Sequence, residues 1–153
     1  MENLMPLVFT YGPATLQGRM YDRIGPTDFI GTAILRDMRL AFDKPNMKNR
    51  QEGLPNIIEA TGDSVFGLVF DLSRKQLELL DGFFGGYEQR SLPVEIGEPP
   101  VTKKATTWIA RRTKSGLKPR AELVALTKAG MEENDAPAAF IDALGKYEIL
   151  DGE

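Results

Sequence analysis

Apolar residues occupy both faces of one stretch near the middle of the chain. Residues 64–72 read SVFGLVFDL, so both alternating sets of positions are mostly apolar. This pattern is typical of a strand that is buried on two sides. Ser73 follows, and together with Gln76 three residues later it matches the capping box that begins many helices. We therefore predict a central strand followed at once by a helix, which Gly82 ends.

Alternating or apolar runs predict further strands on either side of this centre. They cover residues 5–11, 28–42, 55–61, 87–96 and 102–112. The stretch 28–42 is long enough for one bent strand or two. A Gly-Asp pair at 62–63 separates the strand over 55–61 from the central strand, which predicts that these two strands form a hairpin.

Apolar residues at helical spacing predict three more helices. They cover residues 14–23, 119–130 and 136–147. Arg19 lies off the apolar stripe of the first of these helices and is free to point elsewhere. Pro119 suits the first turn of the second helix, and Asp135 is a candidate N-cap for the third. Residues 149–153 are predicted to be a loose tail.

Two stretches lack a regular period. Residues 43–53 are polar and predict an exposed loop, whose basic residues are best interpreted as solvated surface. Residues 82–86 combine three glycines with two phenylalanines. Glycine permits unusual backbone angles or close approach of another group. The apolar pair in this second stretch therefore either plugs the core or lines a pocket.

The order of these elements is strands, one helix, strands and two helices, without regular βαβ alternation. This order favours an α+β fold, in which a mixed or closed sheet carries helices on its outside. A chain of 153 residues suits a single domain, and we predict one domain over residues 1–153.

Composition excludes several kinds of chemistry. The chain has no cysteine and no histidine, which rules out disulfides, thiolate metal sites and Ser–His or Cys–His nucleophiles. A net charge of −3 provides no overall positive field for nucleic acid. No apolar run is long enough to span a membrane, and the first residues do not match a signal peptide. We predict a cytoplasmic protein whose partner is a small molecule, with no nucleic acid and no membrane, and the oligomeric state stays open.

The order of short motifs resembles the gamma-glutamylcyclotransferase-like family, including its avirulence-induced and gamma-glutamylamine cyclotransferase branches. Residues 11–14 read YGPA where that family has Tyr-Gly-Ser-Asn, and Arg19-Met20 follows at the family's distance. The later matches, in the same order as in the family, are Phe29, Gly31, Ala33, Leu35, Phe42, Asn56-Ile57, Val65, Gly67, Val69, Phe70 and Leu80-Asp81. The resemblance covers about residues 7–145.

This resemblance implies a small mixed β-barrel with flanking helices and a cavity at one end. It also implies a reaction without metal or cofactor. In that reaction the free α-amine of a γ-glutamyl group attacks its own γ-carbonyl, which expels an amine and forms 5-oxoproline. The reaction needs a base for the ammonium proton and donors for the developing oxyanion. In the family, a Glu three residues after the helix-closing Asp supplies the base, and the Tyr-Gly-Ser-Asn loop supplies backbone donors.

The sequence departs from the family at both of these chemical positions. Phe84 stands three residues after Asp81 and cannot accept a proton. Pro13 has no N–H, so one oxyanion donor is absent. Loss of a positioned base costs about 10²–10⁴ in rate, and loss of an oxyanion donor about 10²–10³. Glu88 is the candidate substitute base, and the alternative is that Glu88 pairs with Arg90 or a neighbouring strand on the surface.

The remaining candidate residues lie on the loop at residues 11–14, on the loop at residues 82–86 and on the helix predicted after the first strand. The predicted substrate-binding residues are Tyr11, Gly12, Pro13, Ala14, Arg19, Phe84 and Gly85. Tyr11 is either a donor into the pocket or a buried strand-end side chain, and Arg19 either binds a carboxylate or is an exposed helix residue.

Three functions fit these observations. The first is a divergent or impaired enzyme that acts on a γ-glutamyl group or a related amide, and it predicts an acid such as Glu88 in the cavity. The second is non-catalytic binding of a small molecule, and it predicts a polar anchor without an accessible carboxylate. Under this second hypothesis, the walls of the cavity would be Tyr11, Phe83, Phe84 and Trp108. The third is a protein-interaction module in which Phe84 fills the barrel mouth and residues 43–53 carry the function.

Overall fold

Five strands close into a barrel in the computed structural model, which describes residues 6–150. The strands are β1 Leu7–Thr10, β2 Asp28–Asn46, β3 Asn49–Asp71, β4 Tyr87–Ile96 and β5 Val101–Ala110. Their order around the barrel is β1, β3, β2, β4, β5. Strand β5 returns beside β1 in the parallel direction, whereas the other neighbours are antiparallel. The predicted α+β fold, a small mixed barrel with flanking helices, is confirmed.

Within residues 6–150, four helices flank the barrel. They are α1 Gln17–Ile24, α2 Arg74–Asp81, α3 Ala121–Glu133 and α4 Ala138–Ala143, with short 3₁₀ turns at Gly12–Thr15 and Leu144–Lys146. The predicted capping box is present, because Ser73 Oγ accepts from the Gln76 N–H and Gln76 Oε1 accepts from the Ser73 N–H, both at 3.1 Å. The Gln76 amide also donates to the Pro26 carbonyl at 2.7 Å, which ties α2 to the turn after α1. Among the described residues, no helix has the length and apolar character that crossing a bilayer requires.

The predicted central strand forms the last part of β3, and residues 65–70 are buried throughout. Gly67 lies where the end of the neighbouring strand β1 and the ring of Phe9 pack closely against this strand. A Cβ atom placed on Gly67 would lie 2.2 Å from the Thr10 carbonyl oxygen and 2.4 Å from the Phe9 ring. The glycine therefore lets β1 pack against β3 where β1 approaches the end of the barrel.

The predicted exposed loop over 43–53 is wrong. These residues form the paired ends of β2 and β3, joined by a turn at 47–48. Glu52 is only 4% exposed, and its carboxylate accepts from Asn46 Nδ2 at 2.9 Å. Pro45 and a register shift between Ala41 and Lys44 break the alternation, so the sequence does not show a strand pattern there.

The predicted hairpin between residues 55–61 and the central strand is also wrong. Both segments belong to β3, and both pair with β2. Residues 60–63 bulge out of the ladder, which shifts the register. Gly62 takes a φ of 89°, and its N–H donates to Asp37 Oδ1 at 3.0 Å. The Gly-Asp pair at 62–63, which predicted a hairpin turn, therefore lies in a bulge within one long strand.

The C-terminal segment differs from prediction in two places. Asp135 does not cap the last helix, because it has a left-handed φ of 56° after α3, and α4 begins three residues later. Leu150 is buried and its N–H donates to the Pro119 carbonyl at 2.8 Å, so residues 149–150 are not a loose tail. The rest of the predicted tail and the first predicted strand residue, Met5, lie outside the described residues.

Candidate functional site

A cavity of about 260 Å³ lies at the end of the barrel where β1 and β5 finish and β4 begins. We call it the barrel-mouth cavity. Its lining comes from β1, the 3₁₀ turn that follows, α1, the β2–β3 hairpin, the loop after α2, the strands β4 and β5, and α3. The loop at residues 11–14, the loop at residues 82–86 and helix α1 therefore meet at one place.

One wall of the cavity is aromatic. Phe84 stacks on Trp108 with ring centroids 4.5 Å apart and an angle of 12° between the planes. Tyr87 meets Phe84 edge-on at 5.6 Å. Trp108 is almost fully buried, whereas Phe83 is 51% exposed at the rim. The two phenylalanines of the glycine-rich loop thus line a pocket rather than plug the core.

Hydrogen bonds hold this aromatic wall in place. Asp81, the last residue of α2, accepts from Trp108 Nε1 at 2.8 Å and from Gln89 Nε2 at 3.1 Å. The Tyr11 hydroxyl donates to the Trp108 carbonyl at 2.6 Å, and the Tyr87 hydroxyl donates to the Pro55 carbonyl at 2.6 Å. Both tyrosine protons are therefore used within the protein, and Tyr11 acts as a wall rather than as a donor into the pocket.

Burial shifts the acid–base behaviour of these two tyrosines. Burial raises the pKa of Tyr11, and the nearby Tyr87 and Asp43 add to this effect. Burial also raises the pKa of Tyr87, again with a contribution from the charge of Asp43. In both cases the folded protein holds the phenolic proton more tightly than the unfolded chain does.

The raised tyrosine pKa values predict a loss of stability in base. An unfolded tyrosine loses its proton near pH 10, so the unfolded state binds fewer protons than the folded state above that pH. The contribution to stability is complete below about pH 10 and declines as the pH rises towards the folded-state pKa. Each tyrosine should lower the free energy of unfolding by up to about 1.4 kcal/mol per pH unit. Urea unfolding at pH 9, 10 and 11 measures this slope.

Tyr87→Phe provides the control for this prediction, because it removes one of the titrating groups. Its free energy of unfolding should depend less steeply on pH above pH 10 than that of the wild-type protein. Equal slopes for the two proteins would contradict the assignment of the base sensitivity to Tyr87.

The charged part of the cavity is cationic. Arg19 and Arg23, one turn apart on α1, line it together with Lys44 of β2, and its described lining includes no Asp or Glu. The Arg23 guanidinium lies 5.0 Å from the centre of the Phe83 ring, and Lys44 Nζ lies 5.1 Å from that of Tyr87. Burial lowers the pKa of Arg23, with a smaller contribution from Arg19, and burial lowers the pKa of Lys44. The arrangement suits an anion.

Two buried polar atoms of residues that line this cavity have no hydrogen-bond partner within the described structure. They are Thr10 Oγ1 and Arg19 Nε. Both residues also line a narrow extension of the cavity next to Leu80 and Phe84. An unsatisfied buried polar group costs about 1–3 kcal/mol. A ligand that supplies an acceptor to Arg19 and a donor or acceptor to Thr10 would remove this cost.

Most of the predicted binding residues meet at the cavity. Those that line it are Tyr11, Pro13, Ala14, Arg19, Phe84 and Gly85. Gly12 is not among the lining residues of this cavity. It lines a separate cavity beside the C-terminal helices. The role of the lining residues in binding stays a prediction.

Glu88 lies outside the lining of the barrel-mouth cavity. It follows Tyr87 in β4, and adjacent residues of a strand point to opposite faces. Its carboxylate pairs with Arg90 instead, at 2.9 Å from the guanidinium. The surface alternative for Glu88 therefore describes the structure, and a role as substitute base stays a prediction that this placement does not support.

The geometry required by the interaction-module hypothesis is absent. Phe84 lies flat against Trp108, so the cavity stays open beside it instead of being filled. Residues 43–53 form a paired hairpin rather than a free loop. By contrast, the walls expected for a non-catalytic binding site, which are Tyr11, Phe83, Phe84 and Trp108, all line the cavity.

The charged residues that sequence reasoning missed are Arg23 and Lys44, which line the cavity, and Asp81, which supports its aromatic wall. Arg23 lies four residues after Arg19, a spacing that places both on one face of a helix, so the sequence did contain a signal. Lys44 reaches the cavity because it belongs to the β2–β3 hairpin, which the sequence does not predict. Asp81 is recognisable only as a helix end, since its bond to Trp108 depends on how α2 packs against the barrel.

Comparison with known proteins agrees with this geometry. The model of the family described as gamma-glutamyl cyclotransferase, AIG2-like, matches residues 8–124. A gamma-glutamylcyclotransferase of Bos taurus is 26% identical over 150 residues, which covers 95% of this chain and 80% of the bovine chain. A solved gamma-glutamyl cyclotransferase structure shares the fold with a TM-score of 0.86 at 24% identity, covering 95% of this chain and 89% of that chain. The Homo sapiens protein loc79017 also shares it, with a TM-score of 0.86 at 23% identity and 99% and 92% of the two chains covered.

Proposed function

We propose that this chain, which belongs to the gamma-glutamyl cyclotransferase, AIG2-like family, binds a small amino-acid-derived anion in the barrel-mouth cavity without cyclising it. One observation carries this proposal. The charged residues in the described lining are Arg19, Arg23 and Lys44, with no carboxylate among them. The cavity therefore combines a site for a negative group with the lack of an acid–base carboxylate.

The absence of a carboxylate from the described lining argues against the cyclisation. That reaction starts with removal of a proton from the α-ammonium group of the γ-glutamyl substrate. Phe84 occupies the position three residues after Asp81, and its ring packs on Trp108. Pro13 lines the cavity without an N–H to offer to an oxyanion. Glu88, the candidate replacement, is paired with Arg90 outside the cavity.

The arrangement of cations favours a ligand carboxylate. Arg19 and Arg23 are four residues apart on α1, where like charges destabilise a helix by about 0.2–0.5 kcal/mol. A guanidinium group can bind a carboxylate through two parallel hydrogen bonds. The Nε of Arg19 is buried and has no partner within the described protein, so a ligand carboxylate could supply one if the side chain shifted slightly. Binding an anion would relieve both the repulsion and the unsatisfied donor.

Replacement of Arg19 tests the proposal. We expect Arg19→Gln to weaken the binding of small amino-acid carboxylates by about 10-fold or more, because it removes a charged hydrogen bond worth roughly 1.5–3 kcal/mol. Isothermal titration calorimetry with 5-oxoproline, N-acetylglutamate, γ-glutamylalanine and glutathione measures this change. The same samples, assayed for released 5-oxoproline, should show no turnover of the two γ-glutamyl compounds.

Arg112→Gln is the matched control, since it makes the same charge change at an exposed residue after β5. It should bind the same ligands as tightly as the wild-type protein. Arg112→Gln should not change the free energy of unfolding by more than about 0.5 kcal/mol, and circular dichroism should show that Arg19→Gln is folded. The proposal fails if no carboxylate binds, if Arg19→Gln binds as well as the control, or if the wild-type protein releases 5-oxoproline at an enzymatic rate.

A further inference from the structure

We infer that the ligand of the barrel-mouth cavity carries a carboxylate but no free amine, and is therefore an N-acyl amino acid or a lactam acid. This inference rests on the proposed function and narrows its ligand class. It follows from three features of the cavity: its charge, its two unsatisfied polar atoms and its flat aromatic wall.

The charge of the cavity disfavours a free amine. An α-ammonium group bound here would lie among Arg19, Arg23 and Lys44, and the described lining includes no carboxylate to pair with it. Like charges brought together at a binding site strongly disfavour association, and they interact more strongly where water is excluded. Acylation removes the positive charge of the amine and leaves the carboxylate for the arginines. An amino acid with a blocked amine therefore fits the charges, whereas a zwitterion does not.

The two unsatisfied polar atoms match the two ends of an amide. Arg19 Nε can donate only, so it can serve the amide carbonyl or the carboxylate. The Thr10 hydroxyl can accept from an amide N–H or donate to a carbonyl. Both residues line the cavity and its narrow extension, so one small ligand can lie next to both, and a small movement of the two side chains would bring these atoms into contact with it. An ammonium group could form a hydrogen bond with the threonine hydroxyl only, because the ammonium group and Arg19 Nε are both donors.

The aromatic wall suits a planar group. Phe84 stacks face to face on the almost fully buried Trp108, so the planar surface on this side of the cavity is mainly the Phe84 ring. An amide or a lactam ring is planar and uncharged, so it can pack on such a surface, whereas an ammonium group would lose its hydration there. The cavity of about 260 Å³ is near the lower end of the range for ligand sites, which limits the ligand to a small molecule.

Phe84 connects this inference to the missing base. In the related enzymes, as the sequence resemblance implies, a Glu at this position faces the amine of the substrate. Replacing that Glu with Phe removes the proton acceptor and the counter-ion for an ammonium group in one step. The cavity is consequently changed from one that activates an amine into one that rejects it.

Matched ligand pairs test the inference on the wild-type protein. 5-Oxoproline and proline share a five-membered ring and a carboxylate, and they differ in having a lactam or a charged amine. N-acetylglutamine and glutamine form a second pair. By isothermal titration calorimetry, the member without a charged amine should bind at least about 10-fold tighter in each pair, which corresponds to about 1.4 kcal/mol. Equal or tighter binding of proline and glutamine would overturn the inference.

Two variants separate this inference from the proposed function. Phe84→Glu should reduce the preference for 5-oxoproline over proline at least about threefold, because the new carboxylate can pair with the amine. Phe84→Gln removes the same ring without adding a charge, so its preference should be at least about threefold larger than that of Phe84→Glu. Circular dichroism and urea unfolding confirm that both variants are folded. If no carboxylate binds, both the proposed function and this inference are contradicted. If ligands with and without a charged amine bind equally tightly, only the inference is contradicted.

Discussion

Phe84→Glu should raise the rate of 5-oxoproline release from γ-glutamylalanine by about 10²–10⁴-fold over the wild-type protein, the usual contribution of a positioned general base. The residue already lines the barrel-mouth cavity beside Arg19 and Arg23. Neighbouring cations favour the ionised form of a carboxylate, so the new side chain should be able to accept the ammonium proton. Chromatographic measurement of 5-oxoproline at several substrate concentrations gives kcat and kcat/KM for both proteins.

Phe84→Gln controls for the loss of the aromatic ring. It removes the stack on Trp108 and enlarges the cavity in a similar way, but it offers no base, so its rate should stay at the wild-type level. A folded Phe84→Glu protein with no gain over Phe84→Gln would contradict the view that a missing carboxylate is what prevents cyclisation. The next variant would then be Phe84→Glu combined with Pro13→Ser, which returns a backbone N–H to the first loop.

Gly67→Ala should lower the free energy of unfolding by about 3 kcal/mol, at the upper end of the usual cost of overpacking a core. The new methyl group would lie 2.2 Å from the Thr10 carbonyl oxygen and 2.4 Å from the Phe9 ring. Phe9 is fully buried, and Thr10 belongs to a strand paired on both sides, so neither can move aside easily. Urea unfolding at neutral pH measures the change. Since Phe9 and Thr10 also line the cavity, ligand binding should weaken as well.

Gly18→Ala is the control for Gly67→Ala. Gly18 lies in α1, and a Cβ atom placed there would have no neighbour within 4 Å. Replacing a helical glycine with alanine where there is room should stabilise the protein by about 0.5–1 kcal/mol. A Gly67→Ala protein as stable as the wild type would show that β1 can shift away from β3, and it would contradict the close approach described here.

The candidate site was only partly predictable from the sequence. Tyr11, Pro13 and Phe84 were identified because each belongs to a short motif at a fixed distance from its neighbours. The face on which Glu88 lies stayed open, because a loop that contains several glycines does not determine which side of the next strand points inwards. Lys44 was assigned to a solvated loop, because nothing near it in the sequence indicates that residues 43–53 pair with one another.

Features that depend on neighbouring residues could be predicted from the local pattern alone. These include the capping box of α2, the two-sided apolar pattern of the central strand, and the substitution of Phe for an acid at position 84. Their free energies come from contacts within a few residues, so a local pattern is enough to read them. The absence of cysteine and histidine needed no structure either.

The charges that share the cavity could not be predicted without the folded chain. Arg19 and Lys44 are 25 positions apart in sequence and meet only because the barrel closes and β2 pairs with β3 as far as its last residues. The same closure leaves Glu88 with Arg90 and brings Asp81 to Trp108. These contacts depend on strand register, bulges and helix docking, which are set by packing over the whole chain. For that reason the cationic character of the cavity, on which the proposed function rests, belongs to the fold rather than to any stretch of sequence.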